Sequence, residues 1–561
     1  MSDELKHECG VTLLRLRKPL CSYPEHYGLQ KLALLLEKQH NRGQDGAGIA
    51  SLKLEATPGL PYFHIEKNNV GNPLAQVLEE VWDHPFDGEV FLGHLRYGTF
   101  GERDINACHP LVKQSVCRNR TLLLAGNFNL TNSNFLFNQL TAMGHHLSDR
   151  FDTSILLHLV GHELEKMLDY ERKLNMNLLL RRAAANWDGG FLICGVTGDG
   201  NAFAIRDPHG IRPAFYYFDD EVAVVASERP AIQTAFNLKS EAVREIPPGH
   251  ILTISADNQV EIQPCLPLQE IRRCVFERIY FSRSNDCDIQ QERRMMGKML
   301  IPQILQAVDN DLENTFFSYI PNTAQISFHG ILDEFLQKQR IRFGQIIVKD
   351  AKFRTFIADQ QRRSNLDMHI YDVVYGLINP GMDNLVVTDD SIVRGTTMRN
   401  LILRILDRLE PKKIVVVSAA PPICYPDCYG IDMASLGELI AFQAAISHLK
   451  KHNQLHILYE CAAAAEADLK KPDCEMKNQV APIYENITFD ELSNEIACLL
   501  TPEGLKSEFC VVFQTLKNLR KCCPNHTGDW YFSGNYPTPG GFRVVNQALV
   551  NYINKTNKRA Y

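Results

Sequence analysis

Leu385-Val386-Val387-Thr388-Asp389-Asp390-Ser391-Ile392-Val393-Arg394-Gly395-Thr396-Thr397 is the stretch whose reading decides the fold. An apolar run of strand length ends in two carboxylates. A short loop of Ser, Gly and Thr follows, and Leu401, Ile402, Ile405, Leu406 and Leu409 then recur at helical spacing. After Pro411 a second apolar run, Ile414 to Val417, reads as another strand. The pattern predicts a βαβ unit in an open parallel sheet, and the first strand-to-helix turn is where such sheets bind ligands. Backbone N–H groups at the helix start, with the hydroxyls of Ser391, Thr396 and Thr397, suit a phosphate. Gly395 allows close approach of the main chain. Asp389 and Asp390 only accept hydrogen bonds, so they suit sugar hydroxyls, a magnesium ion, or both. No Gly-Lys-Ser or Gly-Lys-Thr occurs in the chain, so a phosphosugar fits better than a nucleoside triphosphate.

A chain of 561 residues has room for roughly three domains, each with its own core. The net charge of −7 gives no support to nucleic-acid or anionic-membrane binding. No apolar run approaches the ~20 residues that span a bilayer, and the start, Met-Ser-Asp-Glu-Leu-Lys-His-Glu, is unlike a signal peptide. With 16 cysteines and no secretory signal, reduced thiols and a cytoplasmic location are expected.

The hydrophobic strand, Asp-Asp-Ser-Ile-Val-Arg-Gly-Thr-Thr and the helix after it resemble the phosphoribosyl pyrophosphate (PRPP) loop of type I phosphoribosyltransferases. That resemblance implies that Asp389, Asp390, Ser391, Arg394, Gly395, Thr396 and Thr397 bind PRPP.

At the other end, Cys9 opens a plausible strand, Cys9 to Leu16, and on its own reads as a buried structural thiol. Three further segments change that reading. They are the turn Gln39-His40-Asn41-Arg42-Gly43-Gln44-Asp45-Gly46, the strand end Gly93-His94-Leu95-Arg96-Tyr97-Gly98, and Gly126-Asn127-Phe128-Asn129 after the apolar Leu122 to Ala125. Asp152 opens a helix with Leu156, Leu157, Val160 and Leu164 on one face. Together these segments resemble the glutaminase domain of class II glutamine amidotransferases, which are N-terminal-nucleophile hydrolases. The resemblance implies that residues 1–8 are a propeptide whose removal makes Cys9 the first residue. The Cys9 thiol would then attack the glutamine amide, with its own α-amine as base. An α-amine of pKa about 7.7–8.0 beside a thiol of about 8.5 can take that proton without a histidine. Asn127 and the Phe128 N–H would stabilise the oxyanion, provided the chain there does not demand positive φ. Arg96 would clamp the substrate α-carboxylate and Asp152 its ammonium, while Arg42 and Gly43 would line the pocket. Phe128 stands where the family usually has Gly, and Gly98 where Ser or Thr is usual.

Asp188-Gly189-Gly190-Phe191-Leu192 and the turn Asp207-Pro208-His209-Gly210-Ile211-Arg212-Pro213 resemble the same family and are expected to be scaffold. From Cys274-Val275-Phe276-Glu277 onward the chain resembles the glutamine phosphoribosylpyrophosphate amidotransferases, in which both halves occur on one chain. By that resemblance Thr323 reaches the metal–pyrophosphate together with Asp389 and Asp390. Lys349 and Arg354 belong to a loop over bound PRPP, and His369 stands where Lys is common. Some members hold a four-iron cluster on four cysteines. Here the positions are Cys274, Asp427, Gly528 and Tyr531, so no iron–sulfur cluster is expected.

The expected architecture is α/β: an αββα glutaminase domain over residues 9–273, then a doubly wound phosphoribosyltransferase domain over 274–500. A C-terminal tail covers 501–561 and closes the core. The resemblance implies synthesis of 5-phosphoribosylamine from PRPP, glutamine and water, the first committed step of purine synthesis, with Mg²⁺. Purine nucleotides would inhibit, and the chain would form a homodimer or homotetramer, with no nucleic-acid or membrane partner. A hexosamine-phosphate synthase would share the first half but not the PRPP loop. A catalytically silent PRPP sensor is the alternative, motivated by Phe128, Gly98 and His369.

Overall fold

The computed structural model describes residues 8–98, 104–170, 174–321, 323–349, 371–431, 433–556 and 560. Strand β1 (Gly10–Leu16) is buried along its whole length because both faces are covered. Val11 and Leu13 point into one apolar cluster, and Leu14 and Leu16 into another, as the two-residue period of a strand requires. Strands β2 (Gly46–Leu52), β3 (Phe63–Asn68) and β4 (Val90–Arg96) join it in the first antiparallel sheet. Strands β5 (Leu111–Lys113), β6 (Leu122–Leu130), β7 (Gly189–Thr197) and β8 (Ala202–Arg206) begin the second. Strands β9 (Phe215–Phe218), β10 (Val222–Ala226) and β11 (Arg244–Glu245) return to the first, while β12 (His250–Ile254) and β13 (Val260–Pro264) complete the second. Among the described residues the two orders are β11-β9-β10-β1-β4-β2-β3 and β13-β12-β8-β7-β6-β5.

The inner faces of the two sheets meet through Val11, Leu92, Leu123, Ala125, Leu192 and Val225. Helices Tyr27–Glu37 and Arg229–Phe236 cover the outside of the first sheet, through Leu32, Leu36 and Ile232. Helix Asp152–Tyr170 covers the second through Leu156, Val160 and Leu164. The result is the four-layer αββα stack.

The second domain is built on a parallel sheet of β14 (Thr315–Tyr319), β15 (Arg342–Phe343), β18 (Asn384–Asp389), β19 (Lys413–Ser418) and β20 (Glu508–Phe513), in the order β15-β14-β18-β19-β20. The short pair β16 (Ile347–Lys349) and β17 (Tyr371–Val373) stands apart. Strand order moves one way from β14 to β15 and the other way from β18 to β20, so the switch point lies between β14 and β18. The predicted strands at Leu385 and Ile414 are β18 and β19, and the helical run between them comprises Met398–Ile402 and Leu403–Asp407.

One boundary needs correction. Residues 501–561 are not a tail: β20 pairs with β19 from Lys413↔Glu508 to Ser418↔Phe513. Trp530, Tyr531 and Phe532 are buried, and helix Pro539–Ile553 packs into the same core through Val544, Val545 and Leu549. The region does close the core, as expected, but as an integral part of the sheet: Phe509 to Phe513 is an apolar run as long as those of β18 and β19, and its place beside β19 is set by tertiary pairing.

Candidate functional site

Cys9 stands immediately before β1, where the chain enters the middle of the first sheet. Its sulfur accepts a hydrogen bond from the Tyr97 N–H at 3.3 Å and lies 3.7 Å from the Tyr97 carbonyl. An open pocket of about 370 Å³ adjoins it, lined by Arg96, Tyr97, Phe128, Phe151 and Asp152, with His94 and His109 behind. The pocket opens to solvent and places a cation and a carboxylate near the thiol. Burial pushes the thiol up to about 11, partly offset by the Tyr97 hydrogen bond and the Arg96 charge. A thiol held so high needs an adjacent base. In the described chain the Cys9 nitrogen is still in its amide bond to Glu8. Burial also raises Asp152 to about 6, against the hydrogen bonds it accepts from Thr153.

The expected oxyanion donors sit on β6, which runs unbroken to Leu130, so no turn and no positive φ arise at Phe128. The Thr131 N–H donates to the Asp188 carbonyl, so odd-numbered residues of β6 are bonded to β7 and even-numbered N–H groups point the other way. The Gly126 N–H uses that direction to donate to His109 Nδ1 at 3.2 Å. The Phe128 N–H faces the same side, where β5 has ended. The Asn127 side-chain nitrogen is buried and has no hydrogen-bond partner among the described residues.

Sequence reasoning missed the Phe128 ring and His109. The ring fills the space over Gly126, where an added Cβ would meet it at 2.9 Å, and stacks on His109 with centroids 5.9 Å apart. His109 is held by Thr153 at 2.6 Å. A phenylalanine following a side-chain-less neighbour was the available signal.

Arg42 corrects an expectation. It does not face the pocket but is fully buried, bonded to Glu228 at 2.9 Å and Glu277 at 2.8 Å, with Glu8 at 3.4 Å. Glu277 belongs to the second domain, so Arg42 ties the domains together. Glu8 also pairs with Arg212 and has no exposed side chain. With burial dominant and Glu277 beside it, Glu8 is raised to about 8. Gly43 is required for packing: a Cβ would lie 2.1 Å from the Arg96 carbonyl carbon. Gly98 donates its N–H to Asp45 at 3.1 Å.

The second site lies at the C-terminal ends of β14 and β18, at the switch point. Asp389, Asp390 and Ser391 are half-buried, and Thr323 from the loop after β14 donates a hydrogen bond to Asp390. Burial raises Asp390 to about 6, against that bond, the Ser391 hydroxyl and the Arg293 charge. Gly395 has φ of +76°, and a Cβ there would meet Leu500 at 2.3 Å, so both backbone and space require glycine. The Arg399 N–H donates to the Gly395 carbonyl, which starts the helix and leaves Thr396 and Thr397 at its exposed N-terminal end. Arg394 pairs with Glu438 at 2.8 Å. Lys349 ends β16; Arg354 and His369 lie outside the described residues. The oxygen-only donor set of Asp389, Asp390 and Thr323 suits a hard divalent cation.

The four positions weighed for a cluster, Cys274, Asp427, Gly528 and Tyr531, lie close together. The Cys274 thiol meets the Tyr531 hydroxyl at 3.3 Å, and Cys274 bridges to Gly528. Asp427 already accepts from Trp530 at 3.1 Å, Tyr429 at 2.9 Å and Ile431 at 2.6 Å. Aromatic rings of Phe276, Trp530 and Tyr531 fill the space between. One thiol, one occupied carboxylate, a glycine and a phenol do not fit a cluster.

Comparison with known proteins agrees with this geometry. Residues 106–234 match the family model described as a glutamine amidotransferase domain. The chain is 28% identical to an amidophosphoribosyltransferase of Escherichia coli, over 79% of this chain and 87% of that one. It is 29% identical to one from Methanocaldococcus jannaschii, over 74% and 84%, and 26% identical to a chloroplastic one from Arabidopsis thaliana, over 80% and 74%. The fold matches glutamine PRPP amidotransferase from B. subtilis, solved with ADP and GMP, at a TM-score of 0.67. That match covers 94% of this chain and 97% of the other at 23% identity. No described helix is long and apolar enough to cross a membrane.

Proposed function

We infer that this chain is a glutamine-dependent amidophosphoribosyltransferase, forming 5-phosphoribosylamine, pyrophosphate and glutamate from PRPP, glutamine and water. One observation carries the reading: a cysteine facing Arg96 and Asp152 and a phosphosugar loop at a sheet switch point occur on one chain, in domains tied by buried ion pairs.

Removal of residues 1–8 would free the Cys9 α-amine, which would take the thiol proton as sulfur attacks the glutamine side-chain carbonyl. Arg96 would hold the α-carboxylate and Asp152 the α-ammonium. Asn127 Nδ2 and the Phe128 N–H would receive the oxyanion, each such donor contributing about 10²–10³ in rate. Collapse would expel ammonia and leave a glutamyl thioester, which water would hydrolyse. Ammonia would displace pyrophosphate at C1 of the phosphosugar, bound by the N–H groups and hydroxyls from Ser391 to Thr397, with Lys349 and Arg354 over the leaving group. Asp389, Asp390 and Thr323 would hold Mg²⁺, which when bound offsets charge on the pyrophosphate. Purine nucleotide inhibition, a homodimeric or homotetrameric assembly and a cytoplasmic location complete the reading.

The test is glutamate release by the purified protein, with and without PRPP and Mg²⁺. Release that requires both is expected. Release indifferent to PRPP would indicate a stand-alone glutaminase, and none at all a silent PRPP sensor or an unprocessed chain.

A further inference from the structure

The end of β6 beyond the oxyanion donors is gripped by the second domain. The Asn129 side chain, buried and two residues from Asn127, donates to the Cys428 carbonyl at 2.5 Å. Two residues further, Thr131 donates to Asp188 at 2.5 Å, and Asp188 accepts from Thr538 at 2.6 Å and the Gly540 N–H at 3.2 Å, at the start of helix Pro539–Ile553.

Cys428 lies on a loop that begins at the phosphosugar site. The N–H groups of Ala419 and Ala420 donate to the carbonyls of Asp389 and Asp390, at 2.9 and 3.0 Å. From Pro421 to Gly430 every residue is buried. Asp427 braces the loop through the Tyr429 and Ile431 N–H groups, and the Cys424 and Tyr425 N–H groups donate to the Tyr531 carbonyl. Gly430 has φ of +117°, and a Cβ there would meet Arg212 at 2.3 Å and Asn129 at 3.4 Å, so the loop rests directly on the β6 side chain. A buried, internally bonded loop moves as a unit rather than absorbing a displacement.

We propose that Asn129 is a positioning residue that conveys the state of the phosphosugar loop to the oxyanion donors of the glutaminase site, through the Cys428 carbonyl. Asn129 touches neither substrate. A shift of the Asp389–Asp390 backbone on PRPP binding would move Ala419 and Ala420, then Cys428, then the strand that carries Asn127 and Phe128. This rests on the proposed two-site function.

The experiment uses the full-length protein and compares it with Asn129→Ser, whose side chain is too short to reach Cys428, and with Gly430→Ala, which disturbs the loop from the other side. Three quantities are read: basal glutamate release, release with PRPP and Mg²⁺, and ammonia-dependent consumption of PRPP. A buried hydrogen bond of this kind supports a loss of about tenfold in the ratio of stimulated to basal release. Basal release and ammonia-dependent synthesis in Asn129→Ser stay within about threefold of the unaltered protein. Gly430→Ala shows the same selective loss. An unchanged ratio in Asn129→Ser overturns the inference, as does an equal fall in basal and stimulated release. Absence of PRPP stimulation in the unaltered protein overturns the functional reading, and the inference with it.

Discussion

Replacing Asn127 with leucine separates catalysis from stability. The Asn127 side-chain nitrogen is buried and has no hydrogen-bond partner among the described residues. Leucine keeps the branch at Cγ and has no donor to leave bare, but it is larger than asparagine, and added volume at a buried position typically costs about 1–3 kcal/mol. Asn127→Leu is therefore expected to lose no more than about 1–3 kcal/mol in denaturant titration and to remain folded. Glutamine hydrolysis should fall much further. Loss of one oxyanion donor removes about 2.7–4 kcal/mol of transition-state stabilisation, or about 10²–10³ in kcat, while KM for glutamine stays within about threefold. Ammonia-dependent synthesis at the second site should be unaffected. The assays are steady-state glutamate release, PRPP consumption with ammonium chloride, and urea unfolding followed by tryptophan fluorescence. Retention of hydrolysis within tenfold would refute the donor assignment. A large loss of stability with both activities would show that Asn127 is a structural residue.

Further outcomes follow from the same geometry. Cys9→Ala should abolish glutamine use and leave ammonia-dependent synthesis, read by PRPP consumption with each nitrogen source; loss of both would count against two separate sites. Gly395→Ala forces a side chain into φ of +76° and against Leu500, so PRPP affinity measured by calorimetry should fall at least tenfold while basal glutamate release persists. Asp152, raised to about 6 by burial, must be ionised to hold the substrate ammonium, so kcat/KM for glutamine should fall as pH drops through about 6. Asp152→Asn should lose that limb and at least 10² in kcat/KM. The stability sign follows from linkage: a carboxyl with a raised folded-state pKa binds more protons when folded, so its contribution declines as pH rises from about 4 through 6. Asp152→Asn should accordingly raise the thermal midpoint at pH 7.5 relative to the unaltered protein, by more than it does at pH 4.

Much of the chemistry was legible because it is local. The PRPP loop is a strand, a turn and a helix start within one contiguous segment, and its hydrophobic periods and its glycine announce those elements without reference to the rest of the chain. The same holds for Cys9 at the head of a strand and Asp152 at the start of a helix. Side-chain direction and partner identity were not legible in that way. Arg42 lies beside Gly43 in a motif of the glutaminase half, yet its charge is drawn to Glu228 and Glu277, both buried beside it only after the domains pack. Residues 508–513 become a strand because β19 offers a parallel edge, and no local signal records that edge. Phe128 contributes an N–H, as its place in the motif implied, and also a ring whose position follows from the pleat of β6 and the emptiness at Gly126. The sequence by itself determined which reacting groups the protein owns and which short elements carry them, because backbone propensity and periodicity act over a few residues. Tertiary structure alone decided which of those groups share a pocket, and it joined Asn129 to Cys428 across 299 positions, because burial and charge pairing act between residues that the chain order keeps far apart.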